Sequence, residues 1–274
     1  MSLASKLPWT HRFSGGYPGI GSQPLPTDAD AIDYLTRVAA ADGAGVEVGV
    51  ATAVDAFVAA LKADSLWESI GSSCLLCGPR TLAGALVPLR GDAPTGVGLV
   101  SGDYNRQKVT GDGTSHILSG LPYNEIPAND EHMSVYVSSL PSNDQNLIGG
   151  GTVTPASYSR IGYFNSQQRY ELQAGQTTAV DAPFQTGFVG ASRPSGSSLT
   201  YRNGGSSATV SRTSAATRSS TDYEYAVLGA NYSDLGVVGI TDGAISFYSI
   251  GSSLDLAKLD THITAYVTAI GAAL

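Results

Sequence analysis

The chain has 274 residues, 42% hydrophobic and only 14% charged, with 33 glycines, 13 prolines and a formal net charge of −8. Charge lies well below the roughly 25% of an ordinary soluble chain, while the apolar share suffices for a sizeable core; disorder throughout and a long helical bundle are therefore disfavoured. The acidic balance also argues against nucleic acid as a partner, because phosphates are neutralised by clustered Lys and Arg.

No apolar run reaches the ~18 residues of a membrane-spanning helix. Residues Met1–Trp9 lack the apolar stretch of a secretory leader, so synthesis in a cytoplasm is expected. Residues 1–27 read as an extended arm, broken by Gly15, Gly16, Pro18, Gly19, Gly21, Pro24 and Pro26. Trp9, Phe13 and Tyr17 punctuate it, which suits an arm laid along another surface and makes these three its docking residues.

Thr27 to Asp30 then supply a helix N-cap with carboxylates in the first turn. Ile32, Leu35, Val38 and Ala39 follow at helical spacing, and Gly43 and Gly45 end the helix. A second helix is predicted over 47–70, its apolar stripe running through Val50, Val54, Phe57, Val58, Leu61, Leu66 and Trp67. Cys74 and Cys77 form a lone C-x-x-C. With Leu75 and Leu76 between them and no second pair, they read as buried packing residues rather than half a zinc site or a redox pair.

From about residue 97 the texture changes to short alternating runs punctuated by turns, as in a sandwich. Runs at 97–100, 116–118, 133–137, 160–164, 170–172, 187–191, 198–201, 223–228 and 244–250 are predicted strands. Asn203-Gly204 is a hairpin signal. Residues 206–221, nearly all Ser, Thr, Ala and Arg, fit either an edge strand or a loop. A closing helix starts near Asp255, with Leu256, Leu259, Ile263, Tyr266, Val267 and Ile270 on one face.

Four phrases occur in a familiar order: residues 109–118 around Gly111-Asp112-Gly113, residues 133–138, residues 190–204 ending in Tyr201-Arg202-Asn203-Gly204, and residues 243–254. Together they resemble concanavalin A-like and laminin-G-like jelly rolls over roughly residues 97–274. The runs 101–106, 111–113 and 247–260, with the stretch through Cys74 to Leu89, also resemble uncharacterised bacteriophage structural proteins. That likeness implies a helical region joined to a sandwich, carried in the virion.

The expected fold is thus mainly β: an antiparallel sandwich (97–274, including a C-terminal helix) preceded by the arm (1–27) and a helical region (28–96).

Catalysis finds little support. Jelly-roll glucanases of similar fold carry Glu-x-Asp-x-x-Glu on one strand, which is absent here, and Glu125, Glu131, Glu171 and Glu224 read as scattered surface carboxylates. Gly190-Ala191-Ser192 lacks the second Gly of a nucleophile elbow, and Gly149-Gly150-Gly151 has no Lys and reads as a turn rather than a phosphate loop. Asp103, Asn105 and Asp112 are candidate calcium ligands, although loop Asx residues commonly cap turns instead. No other cofactor is expected. Tyr163, Tyr170, Tyr201, Tyr223, Tyr225 and Tyr232 fit a contact surface as well as they fit a sandwich core. The expected function is a non-enzymatic virion protein displayed as capsid decoration, head fibre or tail appendage, an oligomer among other virion proteins. The alternative is an adhesin that binds host surface glycans.

Overall fold

The structure, a computed structural model, describes residues 25–127, 129–153, 157–172, 180–211 and 222–274. The proposed docking residues Trp9, Phe13 and Tyr17 lie outside these residues. Helices α1 (Ala29–Asp42) and α2 (Val48–Ala63) lead through a short 3-10 turn into strand β1 (Ile70–Leu75), then α3 (Leu82–Ala85), β2 (Pro88–Arg90), β3 (Thr95–Val97) and β4 (Val109–Thr110). Next come β5 (His116–Pro122), β6 (Glu131–Ser139), β7 (Gln145–Thr152), β8 (Ser157–Phe164), β9 (Gln167–Glu171) and β10 (Val180–Pro183). The chain continues with β11 (Gly187–Ser195), β12 (Ser198–Asn203), β13 (Ser206–Ser211) and β14 (Glu224–Val227). It ends with β15 (Ala230–Tyr232), β16 (Gly236–Val238), β17 (Ala244–Gly251) and α4 (Leu256–Ala273).

Two sheets result, antiparallel along both main paths. The first runs β13-β12-β11-β6-β17-β1-β2, with β4 added on β17. The second runs β10-β9-β8-β7-β14-β5-β3, with the β15–β16 hairpin off its path. Val135, Val137, Ile117, Ile148, Ile161 and Tyr248 belong to the core that the facing sheets enclose. A second core lies between the first sheet and the helices, where Phe57 meets Phe247 edge to face at 6.0 Å and Leu61, Leu259 and Ile263 pack alongside. The order of layers is therefore helices, first sheet, second sheet.

The caps read from sequence hold. The Asp28 carboxylate accepts from the Asp30 and Ala31 amides at 2.9 and 3.3 Å, and Gly43 closes α1 in the left-handed region at φ 70°. Asp255 caps α4 in the same way, accepting from Ala257 and Lys258. The predicted helix over 47–70 is shorter than expected. It stops at Ala63, where Ser65 takes φ 59° and the Leu66 amide reaches back to the Leu61 carbonyl at 2.8 Å. Leu66 and Trp67 are buried from this turn rather than from a helical stripe. Ile70–Leu75 then forms β1 between β17 and β2, so residues 28–96 are not solely helical and share a sheet with residues 97–274. Gly149–Gly151 is also not a turn but the interior of β7. Ser206–Ser211 is an edge strand, and the β12–β13 hairpin turns on Gly204 and Gly205, both at positive φ.

Cys74 and Cys77 are free and buried, and desolvation pushes both thiols up to about 12. On the helix-facing side of the first sheet, fully buried His132 bonds through Nδ1 to the Ser252 carbonyl at 2.6 Å and through Nε2 to the Ser249 hydroxyl at 3.0 Å. A carbonyl can only accept, so the neutral ring carries its proton on Nδ1. Burial, outweighing the opposing pull of Ser252 and Asp130, lowers the His132 pKa from 6.5 to about 4. The unfolded chain therefore takes up this proton before the native one does, and stability falls as pH drops through this window. The loss amounts to about 3 kcal/mol. His116 shifts in the same direction, so the comparison must be differential. Urea denaturation should show His132→Asn losing less stability than the parent between about pH 6.5 and pH 4; parallel curves would contradict it.

Candidate functional site

The six tyrosines singled out in the sequence do not share one face. Strand alternation turns most of them inward. Tyr170 is fully buried and stacks on half-buried Tyr201 at 5.1 Å, and Tyr163 stacks on Phe184 at 4.2 Å. Tyr225 is buried and donates to Glu131 at 2.6 Å. Tyr163 and Tyr201 are half-buried, Tyr223 is 45% exposed, and Tyr232 is buried on the other side of the second sheet. Of the two readings open for these tyrosines, packing within the fold accounts for Tyr170, Tyr225 and Tyr232, each of them buried.

Calcium fares no better. The Asp103 carboxylate accepts from the Val100 amide at 2.8 Å, and Asn105 accepts from the Gln107 amide at 3.2 Å. Asp112 accepts from the Thr114 and Ser115 amides at 2.8 and 2.6 Å, which holds its carboxyl well below the usual range. Each closes its own turn, and no metal-holding group of three His, Cys, Asp or Glu occurs among the described residues. Three acids read as surface carboxylates are instead engaged. Glu131 is fully buried between Tyr225 and Ser159, Glu171 is buried against Arg160, and Glu224 accepts from the Gly120 amide at 2.9 Å.

A groove of about 420 Å³ beside the start of α4 is lined by Ser192, Pro194, Thr200, Ser207 and Asp255. Its polar groups are largely committed: Ser192 accepts from the Leu254 amide, Thr200 bonds Thr209, and Asp255 caps the helix.

The constellation that remains lies on the outer face of the second sheet, opposite the helical layer. In β8, Ile161 points to the core, so Tyr158, Arg160, Gly162 and Phe164 point outward. In β9, buried Gln168 and Tyr170 leave Arg169 and Glu171 on the outer face, and Asp181 of β10 joins them. The register aligns these residues in two rows across the strands. Gly149, Arg160 and Glu171 are cross-strand partners in one row, and Gly162, Arg169 and Asp181 are partners in the next. Each row thus reads glycine, arginine, carboxylate.

Aromatic rings fill the spaces between the charges. The Arg160 guanidinium lies 5.3 Å from the Tyr158 ring centre and 4.4 Å from that of Phe164, and Arg169 lies 5.4 Å from Phe164. Tyr232 of β15 meets Tyr158 edge to face at 5.6 Å and closes the end of the row. The glycines make this possible. A Cβ on Gly162 would sit 2.6 Å from the Phe164 ring, and one on Gly149 would meet Arg160 and Ala230 at 2.8 and 2.9 Å. The bare glycine run of β7 also lets β15 lie alongside, Asn231 against Gly150 and Tyr232 against Gly151.

Arg160 binds Glu171 through Nε, and Arg169 holds Asp181 through Nε and Nη2 at 2.9 and 3.2 Å. Burial and the Glu171 charge raise the Tyr158 hydroxyl above its ordinary pKa, so it stays a neutral donor. Of the platform residues, only Tyr232 was a binding candidate in the sequence; Glu171 was read as a surface carboxylate and Gly149 as part of a turn, and Tyr158, Arg160, Phe164, Arg169 and Asp181 were not singled out. Their signal was the two-residue spacing of Tyr158 and Arg160, and again of Arg169 and Glu171, on neighbouring strands.

No protein-family model and no curated protein matches this chain. Among solved structures, the sialidase CBM40 of Ruminococcus gnavus bound to α2,3-sialyllactose is 14% identical, with TM-score 0.39 over 50% of this chain and 84% of that one. Domain 4 of AbnA, a GH43 extracellular arabinanase from Geobacillus stearothermophilus in complex with arabinotriose, is 15% identical, with TM-score 0.36 over 62% and 87%. Trypanosoma rangeli sialidase in complex with sialic acid is 10% identical, with TM-score 0.46 over 73% of this chain and 33% of that one. The β-sandwich class of this fold rests on its own two facing sheets and the core between them.

The two ion pairs of the platform differ in depth. Side-chain exposure is 19% and 8% for Arg160 and Glu171, against 23% and 31% for Arg169 and Asp181. Arg160→Ala strands a buried carboxylate and should cost about 3–5 kcal/mol, whereas Arg169→Ala should cost about 1 kcal/mol or less. Equal losses in urea denaturation would contradict this ranking.

Proposed function

We propose that this chain is a non-catalytic glycan-binding sandwich whose ligand lies on the outer face of the second sheet. The observation that carries the reading is the platform itself: half-buried Tyr158 and Phe164 interleaved with Arg160 and Arg169, each arginine already fixed by a carboxylate. A sugar presents an apolar C–H face and a rim of hydroxyls. Aromatic rings take up the first and planar guanidinium and carboxylate groups bond the second. Hydrolysis would need a free acid and a free base set across a ligand. Here Glu171 and Asp181 are both bound to arginines, and Glu131 and Glu224 are bonded within the fold.

Binding of the full chain to a printed glycan array tests the proposal. Tyr158→Ala and Phe164→Ala should each weaken the best signal about tenfold or more, as removal of an aromatic anchor does. A parent chain that binds no glycan, or variants that bind like the parent, would sink it.

The same proposal places the sandwich on a bacteriophage particle, with residues 1–27 as the attachment arm and the glycan platform turned towards the host. Support for that setting is the sequence resemblance of residues 101–106, 111–113 and 247–260, with the stretch through Cys74 to Leu89. Peptide mass spectrometry of purified particles should recover this chain; its absence would remove the setting and leave glycan binding standing.

A further inference from the structure

Given glycan binding at this platform, on which the inference rests, the geometry points to an uncharged glycan as the ligand class. The two rows are electrically closed. Arg160 is paired with Glu171 and Arg169 with Asp181, so the outer face offers two guanidiniums and no net positive charge. An anionic sugar carrying carboxylate, sulfate or sialate would have to displace one of these carboxylates to claim a guanidinium. Displacing Glu171, whose side chain is 8% exposed, leaves a buried anion without its partner, which is strongly unfavourable. Displacing Asp181 instead leaves two anions competing for Arg169. The chain as a whole adds to the barrier, since its net charge of −8 repels polyanions at long range.

Hydroxyls face no such conflict. A guanidinium has five N–H donors, and the ion pairs use one on Arg160 and two on Arg169, so donors remain on both. A carboxylate that accepts from arginine keeps lone pairs for further donors. A sugar hydroxyl, both donor and acceptor, can therefore bridge a row without breaking its ion pair. The rings of Tyr158 and Phe164 flank Arg160, which places an apolar surface on either side of that polar row.

The test compares neutral glycans with their sialylated, sulfated and uronate counterparts on the same array, using the full chain at low and at physiological salt. The expected result is binding to neutral glycans, about tenfold weaker signals on the acidic counterparts, and no strengthening when salt is lowered. Asp181→Asn frees Arg169 and should shift binding towards acidic glycans, raising the acidic signal relative to the neutral one. Binding confined to acidic glycans and enhanced at low salt overturns the charge class while leaving glycan binding intact. Acidic binding that Asp181→Asn leaves unchanged overturns the role of the closed pairs. No binding to any glycan overturns this inference and the proposed function together.

Discussion

The structure depends on β17, whose eight residues are all buried. It pairs with β1 on one side and with β6 on the other, and it is covered on both faces. Tyr248 and Ile250 point into the space between the sheets, while Phe247 points to the helices. A strand with no solvent face can sit only in the middle layer of a three-layer stack. Around β17 the first sheet thereby loses both of its faces to packing, while its β12–β13 end stays largely open. The second sheet is left as the one with a face turned away from the core and away from the helices.

Burial on both faces also explains the polar residues of the middle layer. His132, Ser134 and Ser249 lie on the helix side of the first sheet and bond one another across β6 and β17. A polar group there cannot reach solvent, so it must find a partner within the layer or cost stability. Removing a partner from such a network leaves the remaining groups unsatisfied, which makes the layer intolerant of single changes.

Much of this was legible in the sequence. Alternation, turns and caps announced a sandwich with helices at its start and end; the cap within Thr27–Asp30 and the helix start near Asp255 stand where expected. What was not legible was set by tertiary pairing. Ile70 closes the predicted helix and Gly71 to Ser73 carry no apolar alternation, so only docking between β17 and β2 makes Ile70–Leu75 a strand. The glycine run of β7 has the composition of a turn, but the close approach of β15 gives it a place inside a sheet. The tyrosines were ambiguous because alternation assigns a residue to a face without saying which face is inward. Tyr158 and Tyr225 are equivalent in composition; one lies on the platform and the other beneath it against Glu131.

The platform was hidden for a further reason. Its residues come from β7, β8, β9, β10 and β15, and only register brings Gly149, Arg160 and Glu171 into one row and Gly162, Arg169 and Asp181 into the next. The scarcity of charge then acquires a specific meaning. A chain with only 15 Lys and Arg places two of them side by side on one sheet face and sets a carboxylate opposite each. The glycines on the far side of each arginine let the Phe164 ring and Ala230 close over the strands where a side chain would clash. Charge here fixes the geometry of a surface that is neutral as a whole. That arrangement suits recognition by shape and hydroxyl bonding better than capture of an anion.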